Sequence, residues 1–430
     1  MIRIEKTKNT CRNRKAPRLI SAARSSIICL CSLIAAFALI LPGSISVYSE
    51  EELSDKINIP FISYSASSSL DDSVKCTADV MSASGSSVKT EGDILNVEAR
   101  LLGILPIGNI DVNVYRDIKV CPGGMSFGVK ISTDGVLIVG MSDISTPDGK
   151  VNPAYAAGIR VGDVITKING KDADSVITVT KAFSECEGKP VSVCILRDGT
   201  EQVYDVQPIS DGSGYKVGIW VRDSTAGIGT VTYIIPETGA FAGLGHGIFD
   251  IDTGKLLPMR RGTVSDVIIS GIKKGRSGAP GELQGYFGSE KMGTLVFNRE
   301  SGVYGVFSKL PDNADTSELI PIGLSSDISE GEATIICSLD ENGPERYSIK
   351  ISQISHDAGS LKNFVIQVTD PKLLDKTGGI VQGMSGSPVI QNGKLIGAVT
   401  HVMIGDPTSG YGIFIENMLK NSGTLLSPVK

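Results

Sequence analysis

The stretch GGIVQGMSGSPVI, from Gly378 to Ile390, constrains the fold of this chain more than any other segment. Its glycines and its proline require a tight turn, and the apolar residues after Pro388 predict a β-strand that leaves this turn. Glycine is frequent throughout, at 50 of 430 residues, and aromatic residues make up only 5%. The composition therefore favours short strands and turns over long helices, in a chain long enough for two or three domains.

The overall composition excludes some classes of protein. Hydrophobic residues make up 41% of the chain and charged residues 20%, which is typical of a globular protein. The formal net charge is −6. A nucleic-acid partner is not expected, because no excess of positive charge is available to neutralise phosphates.

The N-terminal region, residues 1–49, has the pattern of an export signal or a membrane anchor. Eight basic residues precede position 25, and the run from Ser25 to Leu41 carries no charge before a Pro-Gly-Ser break. This order predicts a contact with the membrane and places the remainder of the chain outside the cytoplasm. A buried core helix is the alternative interpretation of the run.

The next two segments differ in character. Residues 50–92 are rich in Ser, Asp, Lys and Thr without sustained periodicity, which predicts an exposed linker open to proteolysis. Residues 93–120 alternate apolar and polar positions in short bursts, which predicts a small β-rich segment.

The cysteines do not form a recognisable site. Three of the eight lie in the N-terminal region, and the others are Cys76, Cys121, Cys186, Cys194 and Cys337. They show no C-x-x-C pair and no zinc-like spacing with histidine, so we expect buried free thiols with at most one or two disulfide bridges, and no metal site.

Residues 121–209 resemble a PDZ domain. The segment SFGVKI precedes PAYAAGIRVGDVITKINGKDADS, which begins at Pro153, and a strand pair surrounds Asp198-Gly199. A PDZ domain binds a peptide as an added strand, with backbone N–H groups directed at the terminal carboxylate. The predicted peptide-binding residues are Ser126, Phe127, Gly128 and Val129.

Only three histidines are available to act as a general base. His246 lies between two glycines after a strand-like run, and Asp250 and Asp252 follow it. His356 lies beside Asp357 in a polar loop, and His401 lies in the apolar strand GAVTHVMI.

The opening stretch matches the G-x-S-G-x-P turn of chymotrypsin-like serine peptidases. Ser385 occupies the nucleophile position, and the N–H groups of Gly383 and Ser385 are the expected oxyanion donors. Ser387 is a weaker candidate because it directly precedes a proline. The turn is not the G-x-S-x-G elbow of α/β-hydrolases. Residues 210–430 are therefore predicted to form a double β-barrel, with His246 from the first barrel and Ser385 from the second.

The chain after the linker, and most strongly Val368 to Leu419, closely resembles the stage IV sporulation protein B (SpoIVB) peptidases of endospore-forming bacteria. The resemblance implies a serine endopeptidase that needs no cofactor. It implies export from the forespore into the space between the two sporulation membranes, self-cleavage, and cleavage of a membrane-anchored regulator. It further implies that this cut relieves inhibition of an intramembrane metalloprotease which processes pro-sigma-K.

The resemblance also assigns roles to residues. His246 corresponds to the general base, Ser385 to the nucleophile and Asp370 to the orienting aspartate. Asp370 lies nearer to the serine than the acid of most chymotrypsin-like peptidases, so Asp250, Asp252 and Asp357 remain alternatives. A non-catalytic PDZ scaffold and a general extracytoplasmic quality-control PDZ protease are the alternative functions.

Overall fold

The computed structural model describes residues 44–47, 62–67, 93–101, 105–114 and 118–422, except 148, 358 and 359. The predicted export or anchor run lies outside the described residues. The chain divides into two compact units, Met1–Arg116 and Asp117–Lys430. None of the helices in the described ranges is long and apolar enough to cross a membrane.

The first unit contains a four-stranded sheet. Its strands are β1 (Ser44–Val47), β2 (Ile62–Ser67), β3 (Asp93–Leu101) and β4 (Leu105–Val114). Their order is β1-β4-β3-β2, with β1 parallel to β4 and the other pairs antiparallel. Strand β2 lies inside the stretch predicted as a linker, where ISYSAS alternates apolar with polar residues and pairs with β3.

The second unit begins with two long strands that enclose a smaller module. In chain order its elements are β5 (Lys119–Pro122), β6 (Ser126–Met141), β7 (Ile144–Thr146), β8 (Gly149–Val151), α1 (Pro153–Ala157), β9 (Val164–Ile168), β10 (Lys171–Asp172), α2 (Val176–Ser184), β11 (Val191–Arg197), β12 (Thr200–Val206), β13 (Ile209–Ser210), β14 (Tyr215–Lys216) and β15 (Ile219–Ile235). The enclosed module has the strands and the two helices expected of the predicted PDZ domain.

The PDZ module is inserted between two parts of the peptidase, because β6 and β15 each serve both. The first half of the 16-residue β6, with Phe127, and the second half of the 17-residue β15, with Val231, pack in the core of the first barrel. Their other halves pack in the PDZ core with Val136 and Ile138. Each of the two long strands therefore belongs to both cores, because a strand of this length spans about 50 Å and crosses from one core into the other.

The first barrel is a closed ring of six strands. Beyond β6 and β15 it uses β16 (Ala240–Gly243), β17 (Met259–Lys273), β18 (Glu282–Arg299) and β19 (Gly302–Phe307). The pairings run β6-β17-β18-β19-β16-β15, and the β15–β6 pairing closes the ring.

The second barrel is also closed and carries the predicted nucleophile. After β20 (Ile320–Pro321) and a 3₁₀ turn (Ser325–Asp327) come β21 (Gly331–Ser338), β22 (Pro344–Ser352), β23 (Phe364–Val368), helix α3 (Pro371–Thr377), β24 (Pro388–Gln391), β25 (Lys394–Met403), β26 (Asp406–Phe414) and helix α4 (Ile415–Ser422). The strands close in the order β21-β22-β23-β26-β25-β24. The mainly β class with a PDZ module and a double barrel is therefore confirmed.

Candidate active site

The predicted nucleophile, Ser385, lies in a tight turn between helix α3 and strand β24. Gly383 and Gly386 have positive φ values of 100° and 96°. A Cβ atom at Gly386 would lie 2.0 Å from the carbonyl oxygen of Thr230. Only glycine fits at this position, because the first barrel approaches the backbone of the turn so closely.

Two threonines of β15 hold the carbonyl groups of this turn. Thr230 Oγ1 donates to the Gly383 carbonyl at 2.8 Å, and Thr232 Oγ1 donates to the Gly386 carbonyl at 2.8 Å. The Thr230 N–H donates to the Ser385 carbonyl at 2.9 Å. Both threonine side chains are fully buried. The peptide planes of the turn cannot rotate without breaking buried hydrogen bonds, which are costly to leave unmade.

The N–H groups of Gly383 and Ser385 have no hydrogen-bond partner among the residues that the structure describes. Unpaired donors beside a nucleophile are what an oxyanion hole requires, because they are free to receive the negative oxygen of a tetrahedral intermediate. The arrangement suits the oxyanion role predicted for these two amides.

The two serines of the turn are in different environments. Ser387 is fully buried, and its hydroxyl donates to the Met384 carbonyl at 2.7 Å. Ser385 is partly accessible, and its hydroxyl donates to the Thr400 carbonyl at 2.7 Å. The accessibility favours Ser385 over Ser387 as the nucleophile.

His246 lies in the loop after β16, where the loop packs against β25 of the second barrel. Leu244 and Gly245 both have φ values of +67°. A Cβ atom at Gly245 would lie 3.1 Å from Cγ2 of Thr400, so the two barrels meet closely at this point. The glycine before the histidine therefore serves the close packing of the loop.

The hydrogen bond of the His246 ring fixes its tautomer. Nδ1 lies 2.8 Å from the carbonyl oxygen of Gly247. A carbonyl can only accept, so Nδ1 carries the proton and Nε2 keeps its lone pair. Burial lowers the pKa of His246 below its ordinary value, and the bond to Gly247 opposes part of that effect. A neutral imidazole with a free Nε2 is the form that a general base needs.

A second histidine contacts the first. The ring centroids of His246 and His401 lie 4.9 Å apart, with 35° between the ring planes. His401 follows Thr400, whose carbonyl accepts the Ser385 hydroxyl. Strand β25 therefore contacts both the predicted base and the predicted nucleophile. Partial burial, the neighbouring His246 and then Lys362 lower the pKa of His401 to about 4.

No hydrogen bond joins Ser385 to His246 within the described part of the chain. Proton transfer to His246 requires the hydroxyl to leave the Thr400 carbonyl. Catalytic hydrogen bonds are often formed only when substrate is bound, so this separation is compatible with a role for both residues.

Asp370 binds backbone N–H groups at the start of helix α3. It is the N-cap of helix α3, where its Oδ1 accepts from the N–H groups of Lys372 at 2.9 Å and Leu373 at 3.1 Å. Its Oδ2 accepts from the Ser348 N–H at 3.3 Å. No hydrogen bond joins Asp370 to His246 among the described residues, and the orienting role of Asp370 stays a prediction.

Asp250 and Asp252 bind an arginine of β15. The side chain of Asp250 is fully buried and pairs with Arg222, and Asp252 lies 2.8 Å from the same guanidinium group. Asp250 Oδ1 also accepts from the N–H groups of Asp252 and Thr253. These contacts anchor the loop that follows His246. The two carboxylates that were alternatives for the orienting acid are thus bound to Arg222.

The remaining candidates lie in another loop of the second barrel. His356 and Asp357 are exposed between β22 and β23, and the ring of His356 stacks on Phe414 at 5.7 Å. His356 is thus part of the surface of the second barrel and not of the site around Ser385.

The residues predicted to bind peptide in the PDZ domain lie inside the first barrel. Ser126, Phe127, Gly128 and Val129 begin strand β6, which pairs with β15 on one edge and with β17 on the other. Phe127 is fully buried. Gly128 and Val129 are paired on both edges, so we do not expect a peptide to add as a strand there.

A different strand edge of the PDZ module fits peptide binding. Residues 219–222 of β15 pair with β6 on one edge only in the described structure. Helix α2 starts beside this strand, where the Val176 N–H donates to Asp223 at 2.8 Å. Trp220 is 64% exposed at this edge. A strand beside a helix, with one open edge, is the geometry of β-augmentation.

The cysteines and acidic residues of the described part of the chain form no metal site. Cys121, Cys186, Cys194 and Cys337 are free thiols there. Burial, then Asp315 and Glu318, raises the pKa of Cys121 to about 11, which disfavours a reactive thiolate.

Sequence reasoning did not identify Thr230, Thr232 or Arg222, which support the site from β15. The only signal was the alternation in TVTY, which places Thr230 and Thr232 on one face of the strand. Nothing in the sequence indicated that this face meets the nucleophile turn.

Two family models match parts of this chain. Residues 213–419 match the family model described as SpoIVB peptidase S55, and residues 152–197 match a PDZ domain model. None of the curated proteins matches the chain.

Solved structures show a low level of similarity. The chain has 15% identity and a TM-score of 0.28 to the active form of the Rv3671c protease from M. tuberculosis, over 48% of this chain and 76% of that one. The HtrA-type protease AlgW with a decapeptide has 15% identity and a TM-score of 0.29, over 48% and 54%. The serine endoprotease from Yersinia pestis has 17% identity and a TM-score of 0.27, over 46% and 57%. The assignment of the chain depends on the family models and not on these likenesses.

The matched region contains both the histidine loop and the nucleophile turn, and the matched PDZ segment lies between the two long strands that enter the first barrel. The chain is therefore a serine peptidase with a PDZ domain, and its residues 213–419 are similar to the SpoIVB peptidase S55 family.

Proposed function

We propose that this serine peptidase acts in sporulation, where it cleaves itself and then the extracytoplasmic part of a membrane-bound regulator, which signals the start of pro-sigma-K processing. The match of residues 213–419 to the SpoIVB family carries this proposal. The proposal includes export across the forespore membrane with an initial anchor at the N-terminus. The basic and apolar pattern of residues 1–49 supports the anchor, and the similarity to the SpoIVB family supports the forespore location.

The proposed reaction is acyl transfer. Nε2 of His246 takes the proton of the Ser385 hydroxyl, and Oγ attacks the carbonyl carbon of the scissile peptide bond. The Gly383 and Ser385 amides stabilise the oxyanion, each by about 3 kcal/mol. His246 returns the proton to the leaving amine, and water then hydrolyses the acyl-enzyme by the same route. No cofactor enters these steps.

The PDZ module is proposed to bind a peptide along residues 219–222 of β15. The open strand edge and the adjacent helix α2 support this placement. The bound peptide would be the tail of a substrate or the N-terminal segment of the enzyme itself. In either case the peptide would add as a strand, with side-chain preferences set by the groove between β15 and α2.

The proposal is tested by the N-terminal sequence of the mature protein, from wild type and from Ser385→Ala. A sequencing start within residues 50–92 in wild type, and its loss in Ser385→Ala, is expected. His246→Gln and His356→Gln form a matched pair, since only the first lies beside the turn, and only the first should abolish cleavage. The same band pattern in wild type and Ser385→Ala would instead indicate a non-catalytic scaffold.

The choice of substrate separates the sporulation role from general quality control. A narrow preference for the regulator is expected, whereas efficient cleavage of unfolded, casein-like substrates at many sites would contradict it.

A further inference from the structure

The N–H group of Gly383, one of the two predicted oxyanion donors, lies in a β-turn. The turn runs from Val381 to Met384 and is closed by the Met384 N–H, which donates to the Val381 carbonyl at 3.1 Å. Gly383 is the third residue of the turn, and its φ of +100° is typical of a type II turn. The N–H that would receive the oxyanion therefore belongs to the central peptide group of this turn, which joins Gln382 to Gly383.

The local sequence does not fix the orientation of this peptide group. A planar trans peptide directs its C=O and its N–H in opposite directions, so rotation of the group by half a turn exchanges them. The reversed form is a type I turn, which has a negative φ at the third residue. Glycine adopts both signs of φ about equally well. In the reversed form the Gln382 carbonyl would take the place of the Gly383 N–H and would repel an oxyanion.

A hairpin of the first barrel, formed by β17, β18 and the turn between them, binds this peptide group. The Leu283 N–H donates to the Gln382 carbonyl at 2.9 Å, and the Gln382 N–H donates to the Gly281 carbonyl at 2.8 Å. The side chain of Leu283 is buried, and its Cβ lies 3.0 Å from the place that a Cβ atom of Gly383 would take. Because the hairpin holds the carbonyl, the N–H of Gly383 is directed away from β18.

We propose that the β17–β18 hairpin orients the oxyanion donor of Gly383, and that Gly281 and Leu283 are positioning residues that hold the Gln382–Gly383 peptide group in its productive orientation. This inference deepens the proposed function and rests on it. The hairpin acts through the backbone of the turn, since the hydroxyl of Ser385 and the ring of His246 form their hydrogen bonds with other groups.

The second predicted donor is held within the turn itself. The Ser385 N–H belongs to the peptide group that carries the Met384 carbonyl. This carbonyl accepts from the N–H of Ser387 at 3.0 Å and from its hydroxyl at 2.7 Å. One donor is thus fixed by a neighbour in the sequence, whereas the donor at Gly383 depends on a strand of the other barrel.

The second barrel in turn holds the tip of the hairpin. Three hydrogen bonds of 2.8 Å join the tip to carbonyl groups of that barrel: from the Gly275 N–H to Thr377, from the Gly278 N–H to Ile404, and from the Ser277 hydroxyl to Gly405. Thr377 ends helix α3, before the nucleophile turn, and the other two acceptors lie between β25 and β26, after it. The hairpin is therefore fixed on both sides of the turn that it orients.

The first test compares two glycines of the hairpin. A Cβ atom at Gly281 would lie 2.5 Å from the Gly275 nitrogen and 2.6 Å from Cγ1 of Val381, so Gly281→Ala must move the hairpin away from the turn. Gly271→Ala is the matched control, because its nearest neighbour, Oε1 of Gln284, would lie at 3.7 Å. Gly281→Ala should lower kcat by at least about tenfold, towards the 10²–10³-fold loss expected for one missing oxyanion donor, with KM within about threefold of wild type. Equal kcat values in the two variants overturn the proposal.

The second test removes only the hydrogen bond. Replacing the Leu283 N–H by an ester oxygen keeps the side chain, and it should lower kcat by about tenfold because the Gln382 carbonyl then faces an oxygen. The affinity for a peptide aldehyde that ends at the self-cleavage residue should fall by the same factor, since its tetrahedral adduct needs the same donors. A folded ester variant with the kcat and the aldehyde affinity of wild type overturns the proposal.

A third measurement observes the peptide group directly. The full chain contains only two Gln-Gly pairs, at 284 and at 382, so ¹³C-glutamine with ¹⁵N-glycine labels two amide groups, which Gln284→Ala distinguishes. The Gly383 signal should be single in wild type and in Gly271→Ala, and shifted or doubled in Gly281→Ala. A Gly383 signal at the wild-type position in Gly281→Ala overturns the proposal. Failure of the proposed function is distinguishable, because the wild-type enzyme would then cleave no peptide, while this signal would still report the orientation.

Discussion

Thr230 offers a direct test of how the first barrel controls the nucleophile of the second. Its hydroxyl donates to the Gly383 carbonyl at 2.8 Å, and its side chain is fully buried. Thr230→Val keeps the shape of the side chain and removes only this donor. The Gly383 carbonyl then loses its partner in a buried site, which costs about 1–3 kcal/mol of the free energy of unfolding.

The kinetic effect of Thr230→Val follows from the same contact. Gly383 also supplies a predicted oxyanion donor, and complete loss of one such donor lowers kcat by about 10²–10³. The Thr230 N–H still binds the Ser385 carbonyl at 2.9 Å, so the turn is loosened and not released. We therefore expect about a tenfold fall in kcat, or about 1.4 kcal/mol in the activation free energy, with little change in KM.

The assay is steady-state cleavage of a peptide substrate, together with urea unfolding of each variant. Thr230→Ser restores the hydroxyl and should recover most of kcat, which makes it the matched control. A folded Thr230→Val enzyme with wild-type kcat would refute the view that β15 positions the turn.

Three further predictions concern other contacts of the site. Gly386→Ala should abolish activity and lower the free energy of unfolding, measured in urea, by at least about 3 kcal/mol. The reason is that a Cβ atom at this position would lie 2.0 Å from a backbone oxygen, at a φ of +96°. A stable, active variant would contradict this prediction. The folded state lowers the pKa of His246 below the unfolded value of about 6.5, so kcat/KM should persist below pH 6.5. The stability that the neutral ring contributes should be lost as the pH falls from 6.5 towards the folded pKa. Unfolding free energies of wild type and His246→Gln with the same pH dependence would exclude this. Arg222→Met should lower the free energy of unfolding by about 3–5 kcal/mol, because it removes the arginine that pairs with buried Asp250. Asp252→Asn should lower it by less than about 1 kcal/mol, because the Asp252 carboxylate is 45% exposed. Equal losses of stability in thermal unfolding would argue against this prediction.

The distinction between Ser385 and Ser387 could be made from the sequence because it depends on local backbone geometry. A proline after Ser387 restricts that residue, and glycines flank the Met-Ser pair. Ser387 is indeed buried and bonded to Met384, while Ser385 is partly accessible. Local rules sufficed here because all of the relevant atoms lie within a few residues of one another.

The identity of the acid could not be predicted in the same way. Asp370 has the right residue type near the serine, but it directly precedes Pro371 at the start of a helix, and this is also the pattern of an N-cap. Which of the two roles an aspartate serves depends on whether the histidine reaches it. That depends on how two barrels meet, and no local pattern encodes it.

In the PDZ module too, local sequence patterns did not predict which strands meet. Its motif was recognised, and the family model covers residues 152–197. The predicted peptide-binding residues 126–129 lie in a strand of the first barrel, where Gly128 and Val129 are paired on both edges. The sequence cannot show that one strand continues from one core into another.

The sequence by itself determined the elements that depend on local chemistry: the β-rich class, the glycine turn around Ser385, the histidine between glycines and the PDZ motif. The tertiary structure alone decided which groups meet them. It places Thr230 and Thr232 under the turn, the Gly247 carbonyl on His246, and His401 against the imidazole. Residues far apart in the chain acquire such contacts only when two closed barrels pack together, because the spacing between their strands is set by the packing of both cores.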